Sequence, residues 1–80
     1  MERGEVLLRL NDIFKETLDN ETINITVDSK ADDIDEWDSL MHVLLVDAIE
    51  KEFHIKFKAS EIQNWNNVGE IMDSIERELN

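Results

Sequence analysis

Val6, Leu7, Leu10, Ile13, Phe14 and Leu18 recur at i, i+3 and i+4 spacing. At roughly 100° per residue they share one arc of about 140°, which predicts a helix over residues 5–18. Ile23, Ile25 and Val27 then alternate with polar residues. A lone strand has nothing to pair with, so residues 19–37 read as a long extended loop with apolar anchors, Ile34 and Trp37 pinning its far end. Asp38 suits an N-cap and predicts a helix over residues 39–53. Ser60 with Gln63 has the form of a capping box, placing a short helix around residues 61–65. Asn67 with Glu70 opens the last helix, whose Val68, Ile71, Met72, Ile75 and Leu79 share an arc of about 100°. The expected fold class is all-α. It is a small four-helix bundle of three longer helices and one short one, with the long loop between helices 1 and 2.

Composition narrows this picture without changing it. Eighty residues suit one domain spanning 1–80, near the small end of what folds unaided. There is no cysteine to staple the chain and no proline, and only Gly4 and Gly69 interrupt the helical vocabulary. No apolar run reaches the roughly 18 residues a membrane span needs, and no signal-peptide pattern opens the sequence, so the expectation is a cytoplasmic protein with no membrane partner. The net charge of −12, from 20 acidic and 8 basic side chains, argues against nucleic acid as a partner, because phosphate backbones require cationic neutralisation. It favours solubility, a monomer, and partners with basic surfaces.

The helix after Asp38 carries two distinct faces. His42, Leu45, Ile49 and Phe53 point one way, with Val46 at the margin, as a core stripe. Leu40, Leu44, Asp47 and Lys51 point the other way, with Val43 on the flank. Two leucines and a valine beside charges read as a docking surface, although scattered exposed apolar residues also occur without any role. Ser39, at the first helical position, lies where unpaired amides and partial positive charge favour an attached anion. Nothing beside it suits nucleophilic catalysis: His42 at i+3 lacks a third member and an oxyanion hole. Asp32, Asp33, Asp35, Glu36 and Asp38 fail the EF-hand pattern, since the sixth position from Asp33 is Asp38 and the twelfth is Leu44. His42 and His54 lack metal-ligand spacing. No catalytic or metal-binding residue is therefore expected, and the protein is not read as an enzyme.

Asp38-Ser39-Leu40, Val43, Leu45-Val46, Ala48-Ile49-Glu50, Glu52-Phe53, Val68, Asp73 and Ile75 together resemble the acyl carrier protein family, without insertion or deletion from Asp38 to Ile75. The amino-terminal helix and the long loop fit by length and pattern. The resemblance implies that Ser39 bears a 4'-phosphopantetheine arm derived from coenzyme A. A phosphopantetheinyl transferase would attach it, with Asp38 positioning the serine. Acyl-activating or acyl-transferring enzymes would then load and use a thioester on the arm, contacting Leu40, Val43, Leu44, Asp47, Glu50 and Lys51. Cargo would have the option of folding back near Leu45, Val46, Ile49 and the last helix. There are departures. Glu36 and Trp37 precede Asp38 where many members have glycine and a variable residue, Leu44 replaces a common acid, and Lys51 reverses another. Glu50 and Glu52 keep part of the acidic pattern. These point to a specialised biosynthetic pathway, polyketide or other, more than to housekeeping fatty-acid biosynthesis. An aminoacyl or peptidyl carrier, or a non-carrier acidic helical interaction domain, are the alternatives.

Overall fold

The computed structural model describes residues 1–79. The chain forms α1 (Arg3–Thr17), a 3₁₀ turn (Ala31–Asp33), α2 (Ser39–Phe53), α3 (Ala59–Asn64) and α4 (Val68–Leu79). No strand occurs among the described residues. The all-helical bundle of three longer helices and one short one, with its long loop between α1 and α2, is thus as the apolar spacing predicts. The stripe on α1 is buried as Val6, Leu10, Ile13 and Phe14, with Leu18 just beyond the helix, while Leu7 packs at the edge. Leu45, Val46, Ile49 and Phe53 supply the α2 wall, and Val68, Ile71, Met72 and Ile75 the α4 wall. Leu79, expected on the same arc, is exposed because the arc has run past the end of the layer it packs on.

Two of the helix ends fall where no glycine marks them. Asp19, just after α1, and His54, just after α2, adopt left-handed backbone at φ 52° and 57°. Both residue types tolerate that region better than most. The α3 boundary also differs from the Ser60–Gln63 capping box. The helix starts at Ala59, and the Glu61 carboxylate accepts from the backbone N–H of Lys58 at 3.1 Å. Glu61 sits at the third helical position and reaches the orphan amide better than a Ser60 hydroxyl already inside the helix. Asn67, by contrast, caps α4 as expected, its Oδ1 accepting from the Glu70 N–H at 3.0 Å.

The long loop is tied down along its length, which fixes where α2 begins. Ile23, Ile25 and Trp37 are buried anchors. The Ile25 N–H donates to Asn11 Oδ1 on α1 at 2.8 Å. Val27 contributes its backbone more than its half-exposed side chain. The N–H groups of Val68 and Gly69 donate to the carbonyls of Ser29 at 2.9 Å and Val27 at 2.8 Å, so loop oxygens cap α4. Gly69 eases this approach, because a Cβ there would stand a tight 3.1 Å from the Val27 carbonyl oxygen.

A polar network fastens α3 to α4. The Trp65 indole donates to Ser74 Oγ at 2.9 Å, and Arg77 pairs with Glu61 at 2.8 Å. The Glu61 pKa is lowered, first by the Lys58 backbone N–H and then by Ser74, Arg77 and Lys58, against an opposing push from burial. A depressed folded-state pKa stabilises the fold above the ordinary carboxylate value, and that contribution fades as pH falls through the depressed one. Glu61→Gln is therefore expected to lower the melting temperature at neutral pH, with the gap to wild type closing below about pH 4. Melting curves across that range provide the check, and a gap independent of pH would remove Glu61 as the titrating group.

Candidate functional site

The start of α2 combines a side-chain cap with an exposed hydroxyl. Asp38 has extended backbone and its Oδ1 accepts from the Met41 N–H at 2.8 Å, while its carbonyl accepts from His42 at 2.8 Å. The amides of Ser39 and Leu40, in the first turn, have no intrahelical acceptor and face outward. Ser39 is exposed and immediately follows the cap. This corner combines a free hydroxyl, open amides and the positive end of a helix dipole, which suits a covalently attached phosphodiester.

Beside Ser39 lies an open cleft of about 340 Å³ bounded by Ala31, Trp37, Asp38, Ser39 and His42. Two of its lining residues, Trp37 and His42, belong to a hydrogen-bonded bridge. The Trp37 indole N–H donates to His42 Nδ1 at 3.0 Å, and His42 Nε2 lies 3.3 Å from the Ile62 carbonyl on α3. Because an indole only donates, Nδ1 must accept, which leaves the proton on Nε2 to donate to Ile62. The same rings form an aromatic chain. Phe14 meets Trp37 edge-on at 4.9 Å, Trp37 stacks on His42 at 6.0 Å, and His42 meets Trp65 at 6.0 Å. Trp65 in turn meets Phe57 edge-on at 4.9 Å. One chain of rings thus runs from α1 beneath the serine corner to α3.

The residues expected on the outer face of α2 divide. Leu40, Val43 and Leu44 are 70%, 64% and 46% exposed, an unusual amount of apolar surface on one helix face. Asp47 and Lys51 share that face and pair with each other at 2.9 Å. Glu50 does not belong with them. Its carboxylate is largely covered, accepts from the Phe57 N–H at 2.8 Å and lies 3.9 Å from Lys56 Nζ, so it fastens the loop after α2. The Trp37–His42 bridge is a feature that sequence reasoning missed. His42 stood out on the core stripe and Trp37 as a loop anchor, but their pairing depends on the turn at Asp38 folding one back over the other.

These observations define a small helical bundle with an exposed serine at the capped start of its second helix. A family model described as "Phosphopantetheine attachment site" matches residues 8–75. The solution structure of holo acyl carrier protein from Geobacter metallireducens is similar at a TM-score of 0.86 and 38% identity, covering 91% of this chain and 84% of that one. Among curated protein sequences, none matches significantly. The chain belongs to the acyl carrier protein family of phosphopantetheine-binding proteins. It is a carrier and not an enzyme, its prosthetic group is 4'-phosphopantetheine, and its kind works with phosphopantetheinyl transferase and acyl-handling enzymes. No helix among the described residues is long and apolar enough to cross a membrane.

Proposed function

We propose that the arm is attached at Ser39, and that the chain presents acyl cargo to the enzymes of a specialised biosynthetic pathway. The observation that carries the attachment site is the pairing of an exposed Ser39 hydroxyl with the unpartnered first-turn amides of α2. When bound, the arm supplies a thiol that holds cargo as a thioester. The chain's own residues hold the serine in place: Asp38 fixes the helix start, and the buried Trp37 anchors the loop that leads into it. Incubation of the apo protein with coenzyme A, magnesium and a broad-specificity transferase should add one arm, mapped to Ser39 by tandem mass spectrometry. Modification elsewhere, or none with an active transferase and a folded sample, would overturn the assignment. Protein isolated from its own host should carry an intact cargo by mass. A ladder of growing saturated chains would overturn the specialised pathway, and an amino acid would favour an aminoacyl carrier.

The outer face of α2 supports the same reading. Although the chain carries −12 overall, Asp47 and Lys51 cancel each other beside Leu40, Val43 and Leu44. The face is apolar and locally neutral, so partners meet it with an apolar depression, and salt affects their docking weakly. Leu44→Glu is expected to change folding stability by no more than about 0.5 kcal/mol, as at other exposed sites. It is expected to slow loading by the cognate activating enzyme by about tenfold or more, the scale of a lost apolar anchor. Thermal melting paired with loading kinetics checks both. A large stability loss would put Leu44 in the core, and unchanged kinetics would remove it from the interface.

A further inference from the structure

An apolar or amide-bearing chain tethered at Ser39 has three places in which to shed water. It can enter the bundle core, lie along the outer face of α2, or rest in the cleft bounded by Ala31, Trp37 and His42. The core lies along the stripe His42, Leu45, Ile49 on the inner side of α2, so His42 is the first residue an entering chain meets. There the Trp37–His42–Ile62 bridge spans from the loop across α2 to α3. Trp65 packs edge-on behind it, itself held to α4 by Ser74. Beyond this, Leu45, Ile49, Ile71, Met72 and Ile75 are buried in one continuous core. Opening the route separates His42 from Trp37 and leaves an indole N–H, on a residue that is itself buried, without its acceptor. The cleft needs no such rupture. It offers the apolar side chain of Ala31 and the rings of Trp37 and His42, with Asp38 as its charged lining residue, beside Ser39 itself. That mixture suits a branched chain carrying amides.

Resting on the attachment at Ser39, we propose that the cleft is a docking groove for the arm, and that the Trp37–His42–Ile62 bridge, which lines it through Trp37 and His42, keeps arm and cargo outside the bundle. His42 is then a positioning residue that decides where cargo lies. The outer face of α2 stays free for partners, because none of Leu40, Val43 and Leu44 lines the cleft.

The test uses isotope-labelled protein in apo, holo and octanoyl forms, the last two made with a broad-specificity transferase from coenzyme A and octanoyl-coenzyme A. In the wild type, attachment of the arm is expected to shift the signals of Ala31, Trp37 and His42. The methyl signals of Leu45, Ile49, Ile71 and Ile75 should stay in place in the octanoyl form, with the Trp37 indole N–H signal retained. In His42→Ala the octanoyl form should shift those core methyls, and its thioester should hydrolyse several-fold more slowly than that of the wild type. Core methyl shifts in wild-type octanoyl protein would overturn the proposal, as would an arm that leaves the cleft signals unmoved. So would a folded His42→Ala protein whose octanoyl form leaves the core unmoved. Should His42→Ala fail to fold, the wild-type signals alone decide. Mass spectrometry separates the two readings: a protein that gains no arm fails the carrier assignment at Ser39, whereas a loaded protein with shifted core methyls fails only the groove.

Discussion

Ser39→Ala is expected to abolish arm attachment completely and to leave the fold intact. The attachment needs a hydroxyl oxygen, and alanine has none. Other serines offer no substitute. Ser74 is buried and accepts from the Trp65 indole, and Ser60 lies inside the six-residue α3, past its Lys58 cap. Ser29 is tied into the loop, its Oγ accepting from the Thr26 N–H at 2.8 Å. Folding should barely notice the change, because residue 39 is exposed and alanine is a good helix former, so stability stays within about 0.5 kcal/mol. Asp38→Ala is a poorer probe, since it also removes the helix cap, worth about 1 kcal/mol. Intact-mass measurement after incubation with coenzyme A and transferase reads the result. Any mass gain in Ser39→Ala, in a sample that melts like wild type, would move the site to another residue.

The largest effect on stability is expected from Phe14→Ala. Phe14 is fully buried on α1 and meets Trp37 edge-on at 4.9 Å. Emptying such a site costs about 3–5 kcal/mol, and the lost aromatic pair is part of that loss. A chain of 80 residues has only about 4–12 kcal/mol in total at 0.05–0.15 kcal/mol per residue. Most of the stability would go, and the wall against which Trp37 holds the entry to α2 would go with it. Denaturant titration followed by tryptophan fluorescence measures both. A loss below about 1 kcal/mol would show that the core closes over the gap and that Phe14 is not its keystone.

The contrast between Phe14→Ala and Leu44→Glu reflects what is legible in the sequence. Helical periodicity identifies Phe14 as core and Leu44 as outward-facing, because side chains at i, i+3 and i+4 share a face whatever the tertiary context. The start of α2 was legible too, since Asp38 makes a local bond to Met41. What the pattern did not carry is anything set by how the segments between helices fold back onto them. Glu50 reads in sequence as one more charged surface position, yet its carboxylate accepts from the backbone N–H of Phe57. The His42 ring looks like one more core position, and only the folded loop brings Trp37 and the Ile62 carbonyl to its two nitrogens. The start of α3 differs in being a local choice: the Lys58 N–H donates to the Glu61 carboxylate three residues on, in place of the expected Ser60–Gln63 box.

The bonds from Val68 and Gly69 to the carbonyls of Ser29 and Val27 have a kinetic meaning. They join residues some forty positions apart, whereas the other backbone bonds of the turns and caps span five positions or fewer. Closing so long a loop carries an entropic cost that grows with the logarithm of its length, and it must be met before the amides of Val68 and Gly69 find their acceptors. The last helix and the middle of the long loop therefore form one cooperative unit, and the amides of Val68 and Gly69 exchange with solvent only when both come apart. A carrier built this way loosens at its far end as a single piece, while the corner that holds Ser39 keeps its own local cap.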